Sequence, residues 1–211
     1  MIEVALIAAA YFAGSLPFGY WLVRAFRHAD IRTLGSKNTG MTNVWRNFGW
    51  RFGVATLLLD VVKGALPAFA ALHWSGPLTA SIAGIVAMLG HGYPVLLGFG
   101  GGKGVATGAG AALALFPAGV GLAALAWAIV FFTLRYASLA SLAAGAAFLV
   151  AAIALGRAWP VIAFAALAFG FVAYRHRANI ARLRAGTEPR ARLRRRSSEG
   201  AAPEEPAQSG S

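Results

Sequence analysis

VATGAGAALALFPAGVGLAALAWAIVFFTL, running from Val105 to Leu134, decides how many times this chain crosses a membrane. As one helix its 30 residues would be ~45 Å long, against a hydrocarbon core of ~30 Å. As two helices it breaks near Pro117-Ala118-Gly119. Charge chooses between them, because cytoplasmic loops carry the excess of Lys and Arg. Two helices give seven crossings with the N-terminus outside. The inner loops then hold Arg24, Arg27, Arg32, Lys37, Arg46, Arg51, Lys103, Arg135 and nine arginines from Arg175 to Arg196, which is 17 of the 19 basic residues. One helix gives six crossings and puts the nine-arginine segment opposite the six-charge loop. The expected fold is all-α, an integral membrane protein with about seven transmembrane helices and a cytoplasmic C-terminus.

The rest of the chain agrees with that class. Of 211 residues, 58% are hydrophobic and 12% charged, and the mean hydropathy is +0.64, a membrane-protein composition. Met1-Ile2-Glu3-Val4 has no basic leader, so the apolar run from Val4 to Val23 reads as a retained span, kinked at Gly14-Ser15-Leu16-Pro17-Phe18-Gly19. A polar loop from Arg24 to Arg51 follows. The next runs are Phe52 to Leu72, a turn at His73–Pro77, and Leu78 to Leu96. After the glycine break Gly98–Gly104 and the pair described above come Leu139 to Leu155 and Pro160 to Ala173. Residues 1–189 form the membrane domain, and 190–211 a basic then disordered tail. Net charge is +12, most of it beside the last span, where anionic lipid is the expected partner rather than nucleic acid. With no cysteine, disulfides, thiolate catalysis and Cys-based metal sites are excluded.

Polar chemistry is concentrated in a few places. Leu34 to Arg46 is glycine-punctuated, with Gly35 and Gly40 to fold the backbone, Ser36, Asn38, Thr42 and Asn43 as small polar groups, and Lys37 and Arg46 as cations. That composition suits an anion such as phosphate. Asp60 and Lys63, three apart in an apolar helix, share a face and read as a mutual clamp. His91 sits at a helix end. His176 and Asn179, three apart, are placed to share a pocket. With two helices between Val105 and Leu134, the Ser36–Arg46 loop, Lys103, Ser138 and His176 all fall on the cytoplasmic side.

Several reaction classes find no support. No His is followed four or five residues later by Asp. The acids before the tail, Glu3, Asp30, Asp60 and Glu188, are too scattered for a two-carboxylate magnesium site. No Ser–His–acid series is apparent, and Lys103 lacks P-loop spacing. A reaction here needs an already activated substrate, with positioning and anion binding from the protein.

The motifs Gly14–Gly19, Gly35–Arg46, Leu59–Gly64, Gly90–Thr107, Tyr136–Leu139 and His176–Glu188, in this order, resemble the bacterial acyl-phosphate:glycerol-3-phosphate acyltransferases (PlsY). The resemblance covers Gly14 to Glu188. It implies a cytoplasmic-face enzyme of the bacterial inner membrane. Such an enzyme moves an acyl chain from acyl phosphate to the 1-hydroxyl of glycerol 3-phosphate without cofactor or metal. A soluble acyltransferase producing acyl phosphate is implied as a functional partner. By the same resemblance Arg46, Lys103, Ser138, His176 and Asn179 are the catalytic set. Gly35, Ser36, Asn38, Gly40, Thr42, Asn43, His91, Gly101, Gly102 and Gly104 are the substrate-binding set, and Glu188 is structural. Whether His176 acts as base or only positions stays open. Two departures stand out: Lys37, Thr39 and Met41 at variable places of the first loop, and Gly100 where the family carries Lys.

Two other classes compete. A carrier for a phosphorylated metabolite also uses broken helices, but places its polar groups near the midplane and shows repeats. A lipid-binding anchor leaves the glycine loops unexplained.

Overall fold

The computed structural model describes residues 1–191, and every regular element among them is helical. The elements are α1 (Ile2–Ser15), α2 (Phe18–Arg27), a 3-10 turn (Ile31–Thr33), α3 (Met41–Phe48), α4 (Trp50–Gly92), a second 3-10 turn (Val95–Leu97), α5 (Val105–Leu115), α6 (Pro117–Leu134), α7 (Ala137–Ala154), α8 (Trp159–Arg175) and α9 (Arg177–Arg184). The expected disordered stretch, Ser197 to Ser211, lies outside the described residues.

The Val105–Leu134 run is two helices. Phe116 leaves helical geometry (φ −156°, ψ 76°) and Pro117 opens α6 at its first turn, where a missing N–H costs nothing. The first span breaks as expected: α1 ends at Ser15, Leu16 is extended, and α2 starts after Pro17.

The turn expected at His73–Pro77 shrinks to one residue. Within α4 only Gly76 (φ 82°, ψ −175°) is non-helical. A straight rod would hold Asp60 and His91 ~46 Å apart, yet their side chains are 3.6 Å apart. α4 is therefore a helical hairpin closed at Gly76, with antiparallel arms of residues 50–75 and 77–92. Glycine takes the positive φ freely and Pro77 restarts the helix.

Another expectation needs correction. The stretch from Arg24 to Arg51 is no simple loop, because it contains the end of α2, a 3-10 turn and all of α3. Val23, Ile31 and Val44 form a small core of their own, flanked by Tyr20, Phe48 and Phe52. It holds α2 and α3 as a platform at one end of the bundle.

By length and composition Ile2–Arg27, Trp50–Leu97, Pro117–Leu134 and Ala137–Ala154 each suffice to cross a membrane. α8 and α9, bent by 62°, make a fifth if taken together, and Val105–Leu115 is shorter. The main core is built largely of alanine, including Ala68, Ala71, Ala83, Ala87 and Ala111, with Phe148 and Phe164 filling its far side. Small residues let backbones touch where no hydrophobic drive separates helix from lipid. A Cβ on Gly64 would lie 2.0 Å from the carbonyl oxygen of Thr107, and one on Gly110 2.0 Å from that of Val61. Gly110→Val should cost about 1–3 kcal/mol by overpacking, read as a lower Tm in detergent. Gly121→Ala, which meets open space, should leave Tm unchanged.

Candidate active site

The platform is framed from within. Buried Asn43 accepts from the Ser36 N–H at 3.0 Å and donates to the carbonyls of Leu34 (3.0 Å) and Asn38 (2.9 Å). Its oxygen also accepts from Asn47 at 3.1 Å. A Cβ on Gly35, at φ +55°, would lie 2.5 Å from the Asn43 amide oxygen. Asn38 accepts from the Gly40 N–H at 2.8 Å. Gly35, Asn38, Gly40 and Asn43 thus shape the segment, and the polar groups it presents include Ser36, Lys37, Thr42 and Arg46, all exposed. Thr42 and Arg46, four apart on α3, share a face.

Behind the platform, at the break between α1 and α2, lies a buried charge pair. Lys63 Nζ is 2.7 Å from Asp60 and donates to the Leu16 carbonyl at 2.8 Å. This is the clamp expected from their spacing, and it grips the α1–α2 break. His91 belongs to it. Its Nδ1 lies 3.6 Å from Asp60, and its ring is covered by Gly102, where a Cβ would come within 2.0 Å of Nε2. Gly101 is equally tight, against the His91 carbonyl oxygen. Close packing thus fixes His91 against Gly101 and Gly102, while the buried His91 Nδ1 makes no hydrogen bond among the described residues. Gly104 takes φ +80° beside Phe171 at the start of α5.

The glycine strap delivers Lys103 to a hydrogen-bonded chain. Lys103 Nζ donates to Asn179 Oδ1 at 2.6 Å, and Asn179 Nδ2 donates to Glu188 Oε1 at 2.7 Å. The same carboxylate oxygen accepts from Ser138 Oγ at 2.6 Å, and Oε2 accepts from Arg182 Nε at 2.8 Å. Glu188 reaches this place because Gly186 (φ +69°) ends α9 and turns the chain back. Residues beyond it are fastened to the α6–α7 turn: the Ala191 N–H donates to the Arg135 carbonyl at 2.7 Å, and Arg190 Nε to the Tyr136 hydroxyl at 3.0 Å. His176, buried at the α8–α9 junction, has Nδ1 2.8 Å from the Val172 carbonyl. Only a protonated Nδ1 can donate there, so the neutral ring presents Nε2 as acceptor.

Charge in this cluster is unbalanced. Burial pushes the Lys103 ammonium down to about 8, Glu188 opposes that fall, and Arg182, Arg175 and Arg46 add to it. Arg46 therefore belongs to the same electrostatic site although it stands on α3. Burial pushes the Glu188 carboxyl up, but donors from Ser138, Asn179 and Arg182 together hold it below its usual range. Three cations around an ammonium, with one carboxylate already fully engaged, make a place for an anion.

Beside this polar end opens an apolar cleft between α5, α6, α7 and α8. Val105, Ser141 and Val172 line its near end and Ala112, Phe148 and Phe164 its depth.

The structure brings Lys103, Asn179 and Ser138 into one hydrogen-bonded chain through Glu188, places His176 at the adjoining helix junction, and sets His91 beside Asp60. It adds Arg182 and Arg175, which from sequence counted only as basic tail, and moves Glu188 to the centre. Glu188 had a signal: it is the one acid within a segment of nine arginines.

Fold and site together define an all-helical membrane protein with a cationic polar end beside an apolar cleft. The chain belongs to the glycerol-3-phosphate acyltransferase family: the model of the family described as glycerol-3-phosphate acyltransferase matches residues 4–186. A glycerol-3-phosphate acyltransferase of Myxococcus xanthus is 45% identical over 188 residues, covering 88% of this chain and 98% of that one. One of Syntrophomonas wolfei is 42% identical over 189 residues, covering 89% and 96%. Among solved structures, the glycerol 3-phosphate form of PlsY (YgiH), an integral membrane glycerol 3-phosphate acyltransferase, superposes with a TM-score of 0.87 at 37% identity, covering 90% of this chain and 96% of that one. The lysophosphatidic acid form of PlsY gives 0.85 at 36%, covering 90% and 95%.

Proposed function

We propose that this chain transfers an acyl group from acyl phosphate to the 1-hydroxyl of glycerol 3-phosphate, yielding lysophosphatidate and inorganic phosphate. This is the first step of bacterial phospholipid synthesis. The observation that carries the reading is the Lys103–Asn179–Glu188–Ser138 chain, rimmed by arginines and set at the mouth of an apolar cleft. Both substrates carry phosphate and one carries a long hydrocarbon, so a cationic end beside an oily groove suits the pair. Lys103, Arg46, Ser36 and Thr42 hold phosphate oxygens. The cleft takes the acyl chain, and Ser138 and Asn179 orient glycerol 3-phosphate.

In the chemical step the hydroxyl oxygen attacks the acyl carbonyl carbon, and the bond from that carbon to the phosphate oxygen breaks. Phosphate leaves with the electron pair. The hydroxyl proton passes to an oxygen of the departing phosphate, a sufficient route because the anhydride is already activated. A soluble acyltransferase that makes acyl phosphate supplies the donor.

The chain crosses the bacterial inner membrane seven times: α1–α2, the two arms of α4, α5, α6, α7 and α8. The N-terminus is outside and the site faces the cytoplasm, in line with the basic inner loops. α5, with 11 residues, is ~17 Å long and reaches only part of the ~30 Å core.

Purified protein given labelled glycerol 3-phosphate should make lysophosphatidate with acyl phosphate and none with acyl-CoA. Arg46→Ala should reduce the rate by roughly 10²-fold, the cost of losing one preorganised charge donor. No product from either donor, with uptake of label into proteoliposomes, would move the assignment to a carrier.

A further inference from the structure

Lys103 sits in the segment Gly98-Phe99-Gly100-Gly101-Gly102-Lys103-Gly104, whose glycines give the backbone no rigidity of its own. The ammonium nevertheless meets Asn179 at 2.6 Å. The peptide groups just before it show what holds it there. The N–H groups of Gly101 and Gly102 donate to the carbonyls of Gly92 (3.2 Å) and His91 (3.0 Å) at the end of α4. The carbonyls of the same two glycines accept from Arg175 on α8, Gly101 from Nη2 at 2.9 Å and Gly102 from Nε at 3.0 Å. Every backbone polar group of both glycines is thus engaged, half by α4 and half by one guanidinium. Below the strap the His91 ring fills the space a side chain on Gly102 would occupy, braced by Asp60 and Lys63. Above it Arg175 is fixed over the Tyr93 ring at 5.0 Å.

We infer that Arg175 is a positioning residue for Lys103: its bidentate grip on the Gly101–Gly102 carbonyls, against the α4 end, sets where the ammonium stands. This rests on the reading of Lys103 as a phosphate-holding group. The grip needs the fork of a guanidinium, which two parallel donors supply and an ammonium does not. Arg175 precedes His176 and shares its helix junction with Asn179, so one side chain ties the strap to the elements carrying the rest of the site.

Arg175 has a second, separable effect. The groups acting on Lys103 are Glu188, Arg182, Arg175 and Arg46, with Lys103 in turn acting on His176. Removing the Arg175 charge removes one of the three cations that disfavour the Lys103 ammonium, so Lys103 should hold its proton to higher pH.

The test compares wild type, Arg175→Gln and Arg175→Lys as purified full-length protein. Readouts are kcat and KM for glycerol 3-phosphate with acyl phosphate across the alkaline range, and Tm. Both variants lose the fork, so both should lose roughly tenfold to hundredfold in kcat/KM, the cost of a misplaced group. Both variants loosen the burial that lowers Lys103, so both should move the alkaline limb to higher pH, Arg175→Gln further because it also removes a charge. If Arg175→Gln does not fold, Arg175→Lys still decides, because an unchanged kcat/KM overturns the proposal. So does a loss in both variants that follows Tm alone with no movement of the limb. The chain has only three lysines, Lys37, Lys63 and Lys103, so NMR of isotope-labelled methyl-lysine can read the Lys103 titration without turnover. Wild-type inactivity would sink the functional reading, while an active wild type with unchanged kcat/KM in Arg175→Lys would sink this one.

Discussion

Lys103→Ala is expected to lower kcat/KM for glycerol 3-phosphate by roughly 10²- to 10³-fold, the usual cost of removing one preorganised donor from a site where charge is handled. The neighbouring arginines do not replace it. Arg182 is hydrogen-bonded to Glu188 and Arg175 to the glycine carbonyls, and Arg46 acts on Lys103 from α3. The pH dependence follows from the same residue. Burial holds Lys103 at about 8 in the folded protein, below its ordinary 10.5. Between those values the unfolded chain binds more protons, so this group makes stability rise with pH across the window. Binding of phosphate by the ammonium falls over the same range. Activity and Tm should therefore diverge as pH passes through about 8. The divergence should vanish in Lys103→Ala, and a variant with more than a third of wild-type activity would remove Lys103 from the site.

The parts of the fold readable in the sequence are those governed by length and by proline. Thirty apolar residues are too many for one upright span, and Pro117 favours a helix start. Gly76 and Pro77 gave the same kind of signal, although the turn proved to be a single residue. α3 was not readable, because its eight residues are amphipathic and held by a satellite core from three separate elements. The site was legible as a set of residue types and only partly as geometry. Gly35 and Asn43 read as ligand groups because polarity shows in a sequence while direction does not. His91 read as a site residue because its neighbour in space, Asp60, is 31 positions away and becomes adjacent only when α4 folds at Gly76. Arg182 and Arg175 were hidden by company: among nine arginines, nothing in the sequence marks these two as partners of Glu188 and of the glycine carbonyls.

Glu188→Gln is the other substitution expected to have a large effect, although Glu188 touches no substrate in the proposed mechanism. Its carboxylate accepts three hydrogen bonds, two on Oε1 from Ser138 and Asn179 and one on Oε2 from Arg182. An amide keeps the shape and supplies one acceptor where there were two. Whichever way it turns, its NH₂ faces a donor. With the oxygen toward Ser138 and Asn179, it opposes the Arg182 guanidinium and leaves that charge without its partner; reversed, it opposes the Asn179 NH₂. Buried donors left facing donors cost more than a bond merely lost, so the site relaxes by moving α9 or the turn after Gly186. Either movement takes Asn179 from Lys103 and Ser138 from its orientation. Turnover should fall roughly 10²-fold, together with a lower Tm, since the same carboxylate closes α9 onto the start of α7. Glu188→Asp keeps the charge but shortens the reach. It should recover part of the Tm and less of the activity, because Arg182 can follow the carboxylate inward more easily than Ser138 and Asn179 can converge on it. Equal recovery of both would mean that Glu188 contributes charge alone; recovery of activity without Tm would place it among the groups that touch the reacting atoms.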